Sequence, residues 1–286
     1  MAANTTLQQD AAAPGRAALQ PLHGSPWLGG FSNMFGKELG DWLGTRRWLI
    51  QTVIWVAIIN GFVAFILFLV PTIQSEAAQA GVAPPPEQTD PLLLGLGLFF
   101  SLAGAAGVIG TIILAQDEII GEKQSGTAAW ILSKPVARAA FILSKLAASI
   151  IGIAIFIIGI PAVICYAQVS LAVGHPIDVL SYLAGLVPLA LTLFFYLALT
   201  LLLGVVFDQR GPVLGIAFGL FFGASILVQF VPELTQILPI NLASAGGVLA
   251  EGRGLLDTAV LPLILTPIWS ILFIAAALWR FQRMEI

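Results

Sequence analysis

The stretch DEIIGEKQSGTAAWILSKPVARAAFILSK, Asp117 to Lys145, concentrates the polar chemistry of this chain. Only 9 % of the 286 residues are Asp, Glu, Lys or Arg, yet seven of those charges fall within these 29 positions. Glu118 and Glu122 stand four residues apart, which sets two like charges on one face of a helix. Together with Asp117 they call for cations from elsewhere, such as Arg46, Arg47 or a second protein; the alternative is solvation at an interface. Gly126 permits a sharp turn, and Thr127-Ala128-Ala129-Trp130-Ile131-Leu132 then makes about two turns of apolar helix that Pro135 ends. An apolar knob of this kind suits a partner's groove. Lys134, Arg138, Phe141 and Lys145 align on one face, which could meet anionic lipid headgroups or a partner.

The residues for catalysis or metal binding are not assembled in this sequence. There is no His-Glu-x-x-His pair and no Gly-x-Ser-x-Gly, and the only histidines, His23 and His175, lie far apart. Gly30 and Gly36-Lys37 approach a phosphate-cradling loop, but five residues separate the glycines where four are needed, and Glu38 follows where Ser or Thr should stand. If nucleotide is used, another chain binds it. The single cysteine, Cys165, falls inside an apolar run and reads as an inert buried thiol.

The elements that must position the charged stretch are set by composition. With 58 % hydrophobic residues and a mean hydropathy of +0.98, the chain is a membrane protein. A bilayer core of about 30 Å takes about 20 apolar residues of helix per crossing. Six segments qualify, about 48–70, 91–116, 146–168, 179–206, 212–230 and 259–280. They show no alternation of apolar and polar residues, so an all-α bundle of six transmembrane helices is predicted rather than a barrel. Ionisable residues are missing from the middle of every crossing, which disfavours a proton- or ion-coupled carrier.

Six crossings bring both termini to one side, and eleven of the twelve Lys and Arg residues fall there, Arg253 excepted. The positive-inside rule makes that side, and the charged stretch with it, cytoplasmic. Residues 1–30 contain Asp10, Pro14, Pro21 and Pro26 without an apolar core and are expected to be a disordered cytoplasmic tail. Residues 31–286 are expected to form a single membrane domain of six crossings. Its first piece is an expected amphipathic helix in the interface: Phe31, Met34, Phe35, Leu39, Trp42 and Leu43 recur at helical spacing, with Lys37, Glu38 and Asp41 off that face.

Glu118, Gly121-Glu122-Lys123, Gly126-Thr127, Leu132-Ser133-x-Pro135-Val136-x-Arg138 and Lys145 together resemble the loop of the type-2 ABC exporter permease family. Ala137 stands where that family often has Ser or Thr, and Ser144 where it often has Gly. The resemblance implies six transmembrane helices, an N-terminal elbow helix, and a multi-pass protein of the bacterial cytoplasmic membrane that works as a homodimer or beside a paralogous permease. It implies ATPase subunits on separate chains, where ATP and magnesium bind, and no cofactor or nucleic acid on this one. The 117–133 segment would dock on the ATPase, with Glu118, Glu122, Gly126, Thr127, Trp130, Leu132, Pro135 and Arg138 as the coupling residues. The alternative is a non-transporting membrane anchor that uses the same loop as its docking site.

Gly211, Gly215, Gly219 and Gly223 recur at every fourth position of the fifth crossing and make a smooth ridge for close helix approach. Ala103, Gly107 and Thr111 give the second crossing a similar face. Packing within one subunit and contact between subunits are both open from sequence; in the resembled family these helices lie near the dimer axis where substrate passes. Pro161, Pro188 and Pro267 are expected to kink their helices. Asn60, Tyr196, Ser225 and Gln229 are polar groups within the spans, read first as interhelical hydrogen-bonders. Residues 231–258 are too polar to span and apolar enough to lie partly in the outer leaflet.

Overall fold

The computed structural model describes residues 27–82, 84, 89–134 and 136–284, without the side chain of Arg47. Residues 1–26, most of the expected tail, and Pro135 lie outside the described residues. All regular structure among those described is helical, and six helices are long and apolar enough to cross a membrane, as composition predicts.

Ten helices are labelled here in chain order. α1 (Phe31–Leu43) leads into the first span, α2 (Trp48–Gln79). The second span, α3 (Pro91–Ala115), passes through the turn at Gln116 into α4 (Asp117–Gln124) and the short α5 (Thr127–Leu132). The remaining spans are α6 (Arg138–Val173), α7 (Val179–Val206), α8 (Arg210–Leu227) and α10 (Asp257–Gln282), with a non-spanning α9 (Leu242–Ala250) before the last. α6 begins well before the expected crossing; its 36 residues make a rod of about 54 Å at 1.5 Å per residue, so one end outreaches a bilayer core of about 30 Å.

α7 is the hub of the bundle, with 72 % of its central window buried against 17 % for α8, which keeps most of its surface free. Around α7 pack α3, α9 and α10, and their side chains form one continuous apolar core that includes Phe99, Phe100, Ile112, Leu189 and Phe195. α9 reaches this core because two glycines let it. A Cβ added to Gly185 of α7 would lie 2.4 Å from the Gly246 carbonyl oxygen, and one added to Gly246 equally close to that of Gly185. The backbones are in direct contact.

Polar groups inside the spans mostly bridge helices or bond back to their own. The Asn60 amide donates to the Pro161 carbonyl at 2.8 Å, and Gln168 donates to the Asn60 carbonyl at 3.1 Å, which joins α2 to α6. Pro161 follows a π-helical stretch, Ile153–Gly159, and the wider turn accommodates a ring that lacks an N–H. α2 carries two similar stretches, Val56–Asn60 and Phe65–Leu69. Ser225 bonds only to Phe221 of its own helix.

α1 keeps most of its expected apolar face, with Phe31, Phe35 and Leu39 half-buried, but departs from it at two positions. Met34, Glu38 and Trp42 are buried at steps of four, while Leu43 is exposed. Residue type puts Glu38 on the polar face; it turns inward because its carboxylate pairs with Lys145 of α6. Trp42 lies flat against α6, where a Cβ on Gly152 would come within 2.7 Å of the indole.

Candidate functional site

At the end of the bundle where α4 and α5 lie, charges from three elements meet. Lys145 of α6 is 2 % exposed and contacts Glu38 of α1 at 2.9 Å and Glu122 of α4 at 3.0 Å. Lys37 closes the square, 2.9 Å from Glu122 and 3.2 Å from Glu38. Two cations and two carboxylates thus neutralise one another where single buried charges would be costly. Partial burial works against the Lys37 ammonium, but its hydrogen bond to Glu122 and the charges of Glu38 and Glu122 outweigh that and lift its pKa well above the usual lysine value. Lys37 therefore stays charged at any physiological pH.

α4 is fastened on its other side to the linker between α7 and α8. Lys123 forms an ion pair with Asp208 and donates to the carbonyls of Val205 and Phe207 at 3.2 and 3.1 Å, which caps the end of α7. Gln124 donates to the Asp208 carbonyl, and Arg210 lies 2.6 Å from Asp117. Glu118 and Glu122 share a cleft of about 230 Å³ with Asp41 and Asp117, so the expected common face is present.

α5 hangs from this frame. Gly126 adopts φ 73°, a left-handed conformation that glycine takes freely, and so starts α5 at a sharp angle to α4. Ala128 and Ile131 are buried and Leu132 packs on the core, whereas Trp130 is 61 % exposed. The Lys134 ammonium sits 3.4 Å from the Trp130 ring centroid, a cation–π contact that props the indole outward. Thr127 shares a hydrogen bond with Ser125 at 2.8 Å, which steadies the turn.

The basic face read from Lys134, Arg138, Phe141 and Lys145 does not point outward as one surface. Arg138 donates to the carbonyls of Phe281, Gln282 and Met284 and caps α10. Phe141 stacks on Phe281 with centroids 5.2 Å apart. Helical spacing groups these residues on one face; it could not reveal that α10 covers Arg138 and Phe141 while α1 and α4 enclose Lys145. Sequence reasoning also passed over Lys123, Asp208 and Arg210 as fasteners. The crowding of basic residues at this end was their signal, although the pairing needs coordinates.

The small-residue faces separate. Gly107 meets Leu193 of α7, with an added Cβ 3.0 Å from it, and Ala103 is buried, so the α3 face packs within this chain. Gly211, Gly215, Gly219 and Gly223 have nothing within 4 Å of an added Cβ. At the opposite end of the bundle a cleft of about 240 Å³ opens between α3, α7, α8 and α9, near Ser101, Tyr196, Ser225 and Asn241. A neighbouring cleft of about 330 Å³ lies between α9 and α10. Among the described residues no group of His, Cys, Asp and Glu is placed to hold a metal ion.

The arrangement ties α4 to α1, α6 and the α7–α8 linker and leaves Trp130 exposed beside it. A comparison with curated proteins gives no match. Residues 32–286, from α1 to the end of the chain, match the family described as ABC-2 family transporter protein. With six spans, the fastened loop and this match over nearly the whole chain, the protein belongs to the ABC-2 transporter family, membrane permeases that lack the ATPase domain.

Proposed function

We propose that this chain is the membrane-spanning subunit of an ATP-driven exporter of the cytoplasmic membrane, working as a dimer and driven by separate ATPase subunits that dock on the 117–133 segment. The basic side of the bundle faces the cytoplasm, which puts Trp130 where an ATPase can reach it. The observation that carries the reading is the contrast within α5, where an exposed Trp130 sits on a mount held rigidly to α1, α6 and the α7–α8 linker. A push on the indole moves all three, and through them the spans.

Trp130→Asp should leave membrane insertion intact and abolish co-purification with the ATPase, because burying an unpaired carboxylate in a groove costs at least several kcal/mol. Recovery of the ATPase at the wild-type level would remove the docking role. The substrate-stimulated ATP hydrolysis of the reconstituted complex separates an exporter from a passive anchor, which would leave hydrolysis unchanged.

The dimer reading rests on the glycine ridge of α8, which no part of the described chain covers. Cysteines placed at Gly215, Gly219 and Gly223, with Cys165 replaced, are expected to cross-link two copies on oxidation, since close helices bring the sulfurs within bonding range. An active permease with no cross-linked dimer from any of the three positions would rule out the ridge as the contact.

A further inference from the structure

The two clefts beside α9 have one chemical character. Among the described residues, no Asp, Glu, Lys, Arg or His lines either of them. The inner cleft, against α3, α7 and α8, offers Ser101, Tyr196 and Ser225; the outer one, against α10, offers Thr235 and Thr258. Asn241 and Ser244 line both. The hydroxyls of Ser225 and Thr235 already donate to the carbonyls of Phe221 and Pro232, so they present lone pairs to a ligand. Asn241 stands at the N-cap of α9, where asparagine usually turns its side chain onto the first backbone N–H groups. It makes no such bond. Its amide and the first N–H groups of α9, which have no intrahelical acceptor, remain for a ligand oxygen.

We propose that these clefts are successive stations for an uncharged amphiphile whose polar end carries hydroxyl and carbonyl oxygens, with Asn241 and Ser244 serving both. The proposal rests on the exporter reading above and names the class of its cargo. Hydroxyl and carbonyl oxygens find both donors and acceptors here. An ionised ammonium finds no counter-charge on either wall and an ionised carboxylate only the partial charge of the α9 N-terminus, and stripping the water from either ion without a full counter-charge is far more costly than burying a hydrogen-bonded hydroxyl. The apolar portion of the ligand meets Val108 and Phe221 in the inner cleft and Val248 and Leu256 in the outer. The wall between the stations is fixed, because Gly246 touches the Gly185 backbone and Gly247 backs onto Phe100. The thinly covered α8 is the side that can yield.

The test uses the permease–ATPase complex in nanodiscs and three photoactivatable probes of equal chain length: a monoacylglycerol, a fatty acid and an alkyl trimethylammonium. The monoacylglycerol should label peptides containing Tyr196, Ser225 or Asn241 in preference to both charged probes. The Asn241→Ala, Ser244→Ala double variant, with an unchanged thermal midpoint, should lose about tenfold of that labelling, the equivalent of two modest hydrogen bonds. Equal labelling by all three probes, or labelling indifferent to the double variant, overturns the proposal. Labelling that never alters ATP hydrolysis by the partner subunits supports the binding class and sinks the exporter reading. Stimulation of hydrolysis by the charged probes alone does the reverse.

Discussion

Lys145→Ala is expected to lower the thermal unfolding midpoint of the detergent-solubilised protein by roughly 10 °C, for a loss of about 3–5 kcal/mol. The substitution leaves Glu38 and Glu122 with Lys37 alone, and Lys37 has a 43 % exposed side chain whose attraction is weakened by water. Glu38 is 6 % exposed and has no route to full solvation without withdrawing α1 from α6. Removing charge from both partners should behave differently. Glu38→Leu with Lys145→Met leaves the Lys37–Glu122 pair in place and fills the same space with apolar groups, an exchange that is often neutral or stabilising. A midpoint near wild type for the double variant, beside a low one for Lys145→Ala, would identify uncompensated charge as the cause. A wild-type midpoint for Lys145→Ala would mean that water reaches these groups and that the square does not lock α1 to the bundle.

Gly185→Ala is the second large effect. Its methyl group would start 2.4 Å from the Gly246 carbonyl oxygen and 2.7 Å from the Ala250 side chain, and backbone cannot step aside as a flexible side chain does. α9 must lift from α7, at about 1–3 kcal/mol by comparison with other overpacked cores. Gly246→Ala meets the mirror-image clash and should cost a similar amount. Gly215→Ala and Gly219→Ala provide the control. Both positions are open within the chain, and replacing helical glycine by alanine favours the helix by about 0.5–1 kcal/mol. The midpoint of the monomer should therefore fall for Gly185→Ala and hold or rise for the α8 variants, measured by thermal unfolding at a protein concentration too low for dimers. A fall for Gly219→Ala under those conditions would mean that the ridge is covered within the subunit.

The spans were legible because the bilayer sets their length and forbids unpaired backbone, so six apolar runs translate directly into six helices. The ends were less so. α6 starts eight residues before its apolar run because Phe141 and Lys145 are buried by α10 and α1, and only neighbours distant in sequence can decide that. Periodicity found the helix of α1 and mistook the side on which Glu38 lies, since a scale of residue types counts every glutamate as polar surface. The candidate site divided along the same line. Trp130 stands out in the sequence as an isolated apolar knob, and it is exposed. Arg138 and Glu122, chosen with it by their place in a motif, are spent on α10 and on Lys37 and Lys145. A one-dimensional pattern shows that a charge is unusual; where its partner lies is a property of the packed bundle.

The Arg138 clasp also bears on how the protein is made. Its guanidinium waits for carbonyls 143 to 146 positions later in the chain. At the usual pace of synthesis that interval is on the order of 10 s, during which the arginine, the knob helix before it and the Arg138 end of α6 are already translated. The clasp closes only when the sixth span has been threaded. Until then Phe141 has no ring to stack on, and α6 shows an apolar face at the same end as the exposed Trp130. The cytoplasmic end of α6 therefore lacks its α10 brace until the sixth span has followed it into the bundle.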